Sequence, residues 1–298
     1  MIITCERDGT LKCYDAITLL PLENKKMQKL YRFAANLSYS HENESFLVGR
    51  KSGSLYIYNT LTDELKKLQG CQNDVLAFEF LGSSFYAFSL YKSKELSIGT
   101  FENDNVSRFD LQGNNSSSLC FLPKRNLLLS GLTDGSMRIN RTNKLPHARM
   151  FCSIWAHKFG PSGVLVQKTS INGKEYVMTT SRMSHNVKIW QFTKGRMRLL
   201  RVIHTEGDID SLVYLEDYKM IAIAYEHLNG IGFFKLLSEK LEKTFGFNKE
   251  SIRGLIFMKD KNMIGGRGGF PGLSMDSISF IQLDAKEETS CPLEKSGP

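Results

Sequence analysis

The eight residues Asp8-Gly9-Thr10-Leu11-Lys12-Cys13-Tyr14-Asp15 contain the pattern that decides the fold. A small-residue turn is followed by a run in which apolar and polar side chains alternate, and the run ends on an aromatic residue. Alternation with a period of two predicts a β-strand with one buried face, and Asp-Gly predicts a tight turn before it. The apolar run from Met1 to Cys5 precedes this turn, so the whole stretch predicts a pair of short strands.

The same unit recurs six more times along the chain. The further copies are Ser52–Asn59, Asp134–Asn140, Ser184–Gln191 and, in weaker form, Leu96–Gly99, Gly230–Phe234 and Ser277–Ile281. The aromatic position or its substitute falls at residues 14, 58, 99, 140, 190, 234 and 281, with spacings of 41 to 50 residues. A period in the forties with four short strands per unit is typical of the blades of a β-propeller.

The composition supports a globular, all-β protein. The chain has 298 residues, of which 41% are hydrophobic and 23% charged, and this is too apolar for a disordered chain. Helical periodicity is scarce, whereas 24 glycines and seven prolines supply the turns that many short strands need. The formal net charge of +8 favours anionic partners without identifying one.

The repeats resemble those of the WD40-repeat family over essentially the whole chain. Tyr14-Asp15 and Trp190-Gln191 stand where the family has Trp-Asp, and His157 and His204 stand where it has the His of its Gly-His pair. The resemblance implies one WD40-like β-propeller domain over residues 1–298, with seven blades of four antiparallel strands. The blades are predicted at residues 1–33, 34–70, 71–113, 114–157, 158–205, 206–248 and 249–293.

The resemblance also implies a buried hydrogen-bonded set within a blade. In typical blades of this family the set consists of the His, a Ser or Thr, the turn Asp and the Trp. The fifth predicted blade comes nearest, with His157, Thr180 or Ser181, and Trp190, although Ser184 replaces the Asp. Most other blades lack two or more of these residues.

The two ends of the predicted ring are expected to be incomplete. Seven repeats are counted but only six inner strands are predicted, at residues 37–40, 75–80, 118–122, 164–168, 211–215 and 255–258. Met1 to Cys5 has the position of a second strand, so the first blade is expected to lack its inner strand. Either the chain is a fragment or short gene product whose ring closes imperfectly or through other residues, or the strands of the first blade are assigned wrongly.

No catalytic motif accompanies the repeats. The sequence has no GxSxG elbow, no GxxxxGK[ST] phosphate loop, no GxGxxG between a strand and a helix, and no HExxH. The six histidines occur singly, and the six cysteines form no CxxC pair, so no metal site is predicted. We therefore predict no enzyme, no metal and no cofactor, although propeller enzymes draw their residues from separate blades and remain an alternative.

The cysteines and the apolar runs also bear on localisation. Scattered, unpaired cysteines such as Cys5, Cys13 and Cys120 favour reduced thiols, and those in strand patterns are expected to pack in the core. No apolar run approaches the ~20 residues of a membrane span, and no signal peptide is recognised at the N-terminus. The sequence therefore predicts an intracellular protein, cytoplasmic or nuclear.

Basic residues recur at the end of the second strand of each predicted blade. Five of the seven such positions are basic, and they are Arg7, Arg50, Lys92, Arg182 and Arg267; the other two are Leu132 and Glu226. In the WD40 family, these strands run towards the face where binding usually occurs. We therefore hypothesise a partial basic ring around the channel mouth that binds an anionic group. The alternative is an ordinary solvated set of turn residues.

Two further stretches have both a functional and a structural interpretation. Gly265–Gly272 contains five glycines before and after Arg267 and Phe270, and it predicts either a flexible turn insertion or an anion-binding or nucleic-acid-binding loop. The stretch Lys194–Arg201 alternates basic and apolar residues, which predicts an outer strand with one charged face. That face is either simply solvated or binds phosphates or an acidic partner.

The predicted function is that of a non-enzymatic protein-interaction scaffold, a module or subunit of a larger assembly. Its partner is expected to be a protein with an acidic or phosphorylated segment that binds the basic ring. The first alternative is a propeller associated with nucleic acid or ribonucleoprotein, for which the net charge and the glycine-rich stretch speak. The second alternative is a propeller enzyme.

Overall fold

The structure is a computed structural model that describes most of the chain. The described residues are 2–5, 10–15, 18, 20, 22, 28–29, 34–40, 42–50, 53–68, 71, 73–103, 105–111, 114–158, 163–171, 174–181, 184–193, 195–225, 230–235, 241–246, 252–258, 263–268 and 277–283. These residues form strands and turns almost throughout, with one short 3₁₀ turn at Pro123–Arg125. In these ranges, no helix is long and apolar enough to cross a membrane.

The strands form seven separate antiparallel sheets, each built from consecutive strands of the chain. The first three sheets consist of β1 Ile2–Cys5, β2 Thr10–Tyr14 and β3 Gln28–Lys29; β4 Ala34–Ser40, β5 Ser45–Arg50, β6 Leu55–Asn59 and β7 Leu65–Leu68; and β8 Val75–Phe80, β9 Phe85–Leu90, β10 Glu95–Thr100 and β11 Val106–Asp110. The fourth and fifth consist of β12 Ser116–Leu122, β13 Leu127–Leu132, β14 Ser136–Lys144 and β15 His147–Trp155; and β16 Val164–Ile171, β17 Lys174–Ser181, β18 Asn186–Thr193 and β19 Arg196–His204. The last two consist of β20 Ile209–Leu215, β21 Met220–Tyr225, β22 Gly230–Lys235 and β23 Leu241–Gly246; and β24 Ile252–Met258, β25 Met263–Gly268 and β26 Ser277–Gln282.

The strand assignments predicted from the repeats are confirmed. Each copy of the repeated unit contributes its third strand, from β2 in the first sheet to β26 in the last. The six predicted inner strands fall within β4, β8, β12, β16, β20 and β24. Each of these pairs with the next strand of its own sheet, and the order within every sheet is the order along the chain.

The prediction of seven four-stranded blades is wrong for the described residues. Five sheets have the four strands of a complete blade, whereas the first and the last have three each. In the first sheet, β1 lies at an edge and pairs only with β2 among the described strands. In the last sheet, β26 occupies the corresponding outer edge. The reason is that the repeat pattern marks the second and third strands, whereas inner and outer strands at the ends of an array depend on neighbours.

Consecutive sheets share their hydrophobic cores. Cys13 of the first sheet packs with Val48 and Tyr58 of the second, and five further clusters join the second sheet to the third and so on to the seventh. Each complete sheet is therefore buried on both faces, which explains strands such as β13 whose residues are all buried. Burial of this apolar surface is the main stabilising contribution to the arrangement.

Serine side chains and one glycine bring the inner strands together. Ser118 Oγ donates to the carbonyl oxygen of Val164 at 2.6 Å and accepts from the Val166 N–H at 3.0 Å, which links the fourth and fifth sheets. At Gly131 the backbone approaches the same carbonyl so closely that a Cβ atom would overlap it. Ser211 Oγ similarly accepts from the Leu255 N–H at 3.0 Å between the sixth and seventh sheets.

The buried hydrogen-bonded set of the fifth sheet is present, but with a different threonine from those predicted. Trp190 Nε1 donates to Thr179 Oγ1 at 2.8 Å, and the same oxygen lies 2.9 Å from His157 Nε2. The prediction of Thr180 or Ser181 is wrong because side chains alternate along β17. Thr180 points to the other face of the sheet and donates to the carbonyl oxygen of Asn186.

Replacement of the turn Asp by Ser184 leaves this set incomplete. Ser184 Oγ donates to the carbonyl oxygen of Ser181 at 2.9 Å and so closes the turn, while His157 Nδ1 is buried without a hydrogen-bond partner. Burial, and then the positive charge of Lys188, lower the pKa of His157 to about 4. His157 is therefore neutral at physiological pH. His204, by contrast, is exposed and contributes to no such set.

Candidate functional site

The second strands of the sheets all end at one face, which we call the turn face. It is the face at which the second strand of each sheet turns into the third. Because pairing is antiparallel, the last residue of a second strand lies opposite the start of the inner strand, as Arg50 does opposite Ala34. Arg267 of β25 likewise lies opposite Arg253 of β24. The turn face therefore surrounds the beginnings of the inner strands.

The structure describes the predicted ring residues only in part. Lys92 is described with its side chain, whereas Arg50 and Arg267 are described through their main chain. Arg7 and Arg182 lie outside the described residues, and so does Glu226. Leu132, the apolar member of the series, is completely buried at the end of β13. The basic ring therefore remains a prediction, with its strand ends at the turn face.

Lys92 is an exposed cation at this face. It occupies the turn between β9 and β10 in a left-handed conformation, with φ of 58°. Its Nζ lies 5.4 Å from the centre of the neighbouring Tyr91 ring, which is 46% exposed. An exposed cation over an aromatic face is an interaction of modest energy, and it leaves the ammonium free to meet a carboxylate or phosphate.

A cavity of about 180 Å³ opens at the turn face between the fourth, fifth and sixth sheets. It is lined by the beginnings of three inner strands and the end of one second strand, namely Ser117, Gly163, Val164, Leu165, Thr180, Ile209 and Asp210. Thr180 lies two positions before Arg182 in the chain, so the predicted ring and the cavity belong to the same region. The lining combines apolar side chains with hydroxyl groups and one carboxylate.

Sequence analysis missed Asp210 as a residue of the channel mouth. It follows Ile209 at the start of β20, and only the packing of the fifth sheet against the sixth brings it to the cavity. Its carboxylate introduces a negative charge into a region predicted to be basic. No local signal in the sequence marks it, because an acidic residue at the start of a strand is common on any protein surface.

A charged pair links the inner strands of the third and fifth sheets. Lys168 Nζ lies 3.6 Å from Glu79 Oε1 and donates to the carbonyl oxygen of Phe121 at 3.1 Å. Burial raises the pKa of Glu79, and the charge of Lys168 opposes that effect. A perturbed carboxyl group can mark a catalytic site, but this one is satisfied by Lys168 and by the Phe121 N–H, as in a structural pair.

The described residues offer no other chemical constellation. Within them, no three His, Cys, Asp or Glu side chains are close enough together to hold a metal ion. Burial raises the pKa of the Cys120 thiol, and it raises that of Cys71 to about 12, so both remain protonated. Cys13 and Cys120 are buried in the core, as predicted, and a protonated thiol is a poor nucleophile.

Comparisons with known proteins identify the architecture. No family model matches the sequence, and no curated protein matches it. Among solved structures, the chain is similar to the crystal structure of the Cps50 (Swd1) β-propeller domain of Myceliophteria thermophila, with a TM-score of 0.75. The sequence identity is 10%, and the match covers 90% of this chain and 93% of that one. The fold is that of a WD40-like β-propeller. In this propeller the sheets are blades, and the turn face is the end of the channel at which the cavity opens.

The glycine-rich stretch of the last blade is not a loop throughout. Gly265 to Gly268 belong to β25, where Gly265 and Gly266 pair with both β24 and β26. Both interpretations offered for the stretch, a flexible insertion or a binding loop, are therefore wrong for its first half. Residues 269–272 lie outside the described residues. Glycine is accommodated in this strand because the paired Ile256 and Phe280 supply the neighbouring side chains.

Proposed function

We propose that this propeller is a non-enzymatic protein-interaction scaffold that binds an acidic or phosphorylated protein segment at its turn face. The observation that supports it most directly is the convergence of strand ends from separate blades at one face. Arg50 ends β5, Arg267 lies in the last two residues of β25, and Lys92 is exposed in the turn after β9. Cationic groups from different blades can then meet one anionic segment together.

The proposed mechanism is non-covalent. A rigid ring of packed blades presents its turn residues with little loss of conformational entropy on binding, so a partner meets a preorganised surface. Guanidinium groups bind carboxylates and phosphates through two parallel hydrogen bonds, which gives direction as well as charge. Each such bond contributes about 1.5–3 kcal/mol when shielded from water and much less at an exposed rim.

The remaining parts of the proposal concern the whole protein. We propose that it works inside the cell, in the cytoplasm or nucleus, as a module or subunit of a larger assembly. The WD40-like fold and the absence of a catalytic motif in the sequence support a scaffold over an enzyme. The protonated Cys71 and Cys120 thiols and the paired Glu79 support the same view.

The experiment is a capture of binding proteins from cell lysate with the wild type and the Arg50→Glu/Arg182→Glu double variant, quantified by mass spectrometry. The matched control is Lys66→Glu/Lys67→Glu, which makes the same charge change on the exposed outer strand β7. The proposal predicts acidic or phosphorylated partners that are lost from the first variant and kept by the control. Identical partners for all three proteins would refute it.

The same samples test the nucleic-acid alternative. After nuclease treatment, a protein partner that binds directly is retained. Partners that disappear after this treatment, together with a steep dependence of single-stranded nucleic acid binding on salt, would replace the proposal with a nucleic-acid-associated propeller.

A further inference from the structure

The outer strand of the fifth blade has an apolar face and a basic face. β19 pairs with β18 in register, with Met197 opposite Phe192 and Leu199 opposite Trp190, while Arg198 lies opposite Gln191. Phe192 and Trp190 belong to the core shared with the fourth blade. Met197 and Leu199 therefore face the fourth blade, and Arg196 and Arg198 face the sixth. Sequence analysis predicted this charged outer strand but not which face carries the charge.

The basic face of β19 has no counter-charge of its own. Residues 185–204 contain no Asp or Glu, but they include Lys188, Lys194, Arg196, Arg198 and Arg201. Arg196 and Arg198 are exposed, and neither has an ion-pair partner among the described residues. Unbalanced positive charge in a row along one strand raises the local potential and favours an acidic partner.

The apolar face of the same strand is partly uncovered. Leu199 is 44% exposed, and Leu200, at the register shift of the strand, is 51% exposed. Met150 and Trp155 on the outer strand of the fourth blade are also exposed, so four of the eight exposed large apolar residues lie on these two outer strands. Such a concentration at one place on the rim is typical of an interaction surface.

The outer edge of β19 is also available for pairing. Among the described strands, only β18 pairs with β19, so the other edge of β19 presents its main-chain N–H and C=O groups outwards. β15 and β19 have nine residues each, whereas the outer strands β7, β11 and β23 have four, five and six. A long open edge can accept an added strand from a partner.

From these features we propose that the outer edge of β19 binds an extended segment of a partner protein in which acidic and apolar residues alternate. The added strand continues the fifth blade by main-chain hydrogen bonds. Its apolar side chains lie over Met197 and Leu199 on one face, and its acidic side chains meet Arg196 and Arg198 on the other. Alternation follows because successive side chains of a strand point to opposite faces. This rim surface is separate from the turn face and goes beyond the function proposed there.

The test uses the full chain and a fluorescein-labelled ten-residue peptide in which Glu and Val alternate, with binding followed by fluorescence anisotropy. A second peptide has the same composition with its Glu and Val residues in two separate blocks. The proposal predicts that the block peptide binds at least tenfold more weakly. It also predicts that N-methylation of every second amide abolishes binding in one register and is tolerated in the other, because only one edge of the peptide pairs with β19.

Matched protein variants locate the surface. Arg196→Glu/Arg198→Glu should weaken binding at least tenfold, whereas Lys66→Glu/Lys67→Glu on the outer strand of the second blade should change it less than twofold. Arg50→Glu/Arg182→Glu should also leave it unchanged, so the failure of this proposal is distinguished from failure of the turn-face proposal.

Three results would overturn the proposal. Equal binding of the alternating and block peptides would show simple charge attraction, and tolerance of N-methylation in both registers would exclude strand pairing. Tighter binding of single-stranded oligothymidine, lost in Arg196→Glu/Arg198→Glu, would assign the strand to nucleic acid instead.

Discussion

The indole N–H of Trp190 donates a hydrogen bond to the hydroxyl oxygen of Thr179 at 2.8 Å, and both side chains are buried. The hydroxyl also contacts His157, so one oxygen joins the second and third strands of the fifth blade to the segment that precedes its inner strand. Because the three groups are buried, each must find its partner inside the protein. The contact is therefore a sensitive point of the propeller's stability.

Thr179→Val should destabilise the propeller by about 2 kcal/mol, because it leaves the buried Trp190 N–H without an acceptor. Thr179→Ser, which keeps the hydroxyl, should cost less. Thr180→Val serves as the neighbouring control and should cost about 1 kcal/mol, since it removes a single bond to a carbonyl oxygen. Urea unfolding followed by tryptophan fluorescence measures all three. A larger loss for Thr180→Val than for Thr179→Val would contradict the assignment.

Acidification should destabilise the propeller through His157. The pKa of its imidazole is about 4 in the folded protein and 6.5 in its ordinary state, so only the unfolded chain takes up the proton between these values. The free energy of unfolding should therefore fall as the pH drops from 6.5 towards 4, by about 3 kcal/mol in all. The measurement is urea unfolding across this range for wild type and His157→Gln. The difference between their slopes isolates His157, and parallel slopes would show that it titrates normally.

Gly131→Ala should destabilise the propeller by about 1–3 kcal/mol, because the added methyl group overlaps the Val164 carbonyl oxygen and a backbone atom cannot move aside cheaply. Gly195→Asn is the control, since nothing lies within 4 Å of that position and asparagine tolerates its left-handed φ of +74°. Differential scanning calorimetry compares the melting temperatures. An unchanged melting temperature for Gly131→Ala would mean that the fourth and fifth blades are farther apart than described.

Binding at the turn face should weaken as salt rises. If Arg50, Lys92, Arg182 and Arg267 contact an acidic segment, raising the ionic strength from 0.05 to 0.5 M should reduce its affinity at least tenfold, because exposed charges are screened within about 10 Å at 0.1 M. Titration calorimetry at several salt concentrations provides the slope. Arg50→Glu/Arg182→Glu should flatten it, and an affinity independent of salt would rule out a charge-based contact.

The middle strands of the blades could be predicted from the sequence because their signals are local. The alternation in Leu55–Asn59 and the turn at Asp134-Gly135 each involve a few neighbouring residues, and both lie where predicted. The choice between Thr179 and Thr180 could not be predicted, because a one-residue change of register reverses the face of a strand. Asp210 was missed because its place at the cavity depends on how two blades pack.

The number of complete blades was also beyond local signals. The strands β1 and β26 carry the same alternation as their counterparts, and nothing within them says whether a fourth strand lies beside the sheet. The glycines of β25 were predicted to form a turn because glycine is common in turns. They are held in a strand by pairing on both sides, which is a contact between distant segments rather than a property of the stretch.

The most direct test of the turn-face proposal is a charge exchange between the propeller and the acidic segment of a captured partner. Titration calorimetry would measure the affinity of that segment for the wild type and for Arg50→Glu/Arg182→Glu, and then the affinity of a segment whose acidic residues are replaced by lysine. The proposal predicts at least a tenfold loss for the double variant and recovery with the lysine-substituted segment. Equal affinity of the original segment for both proteins would contradict it.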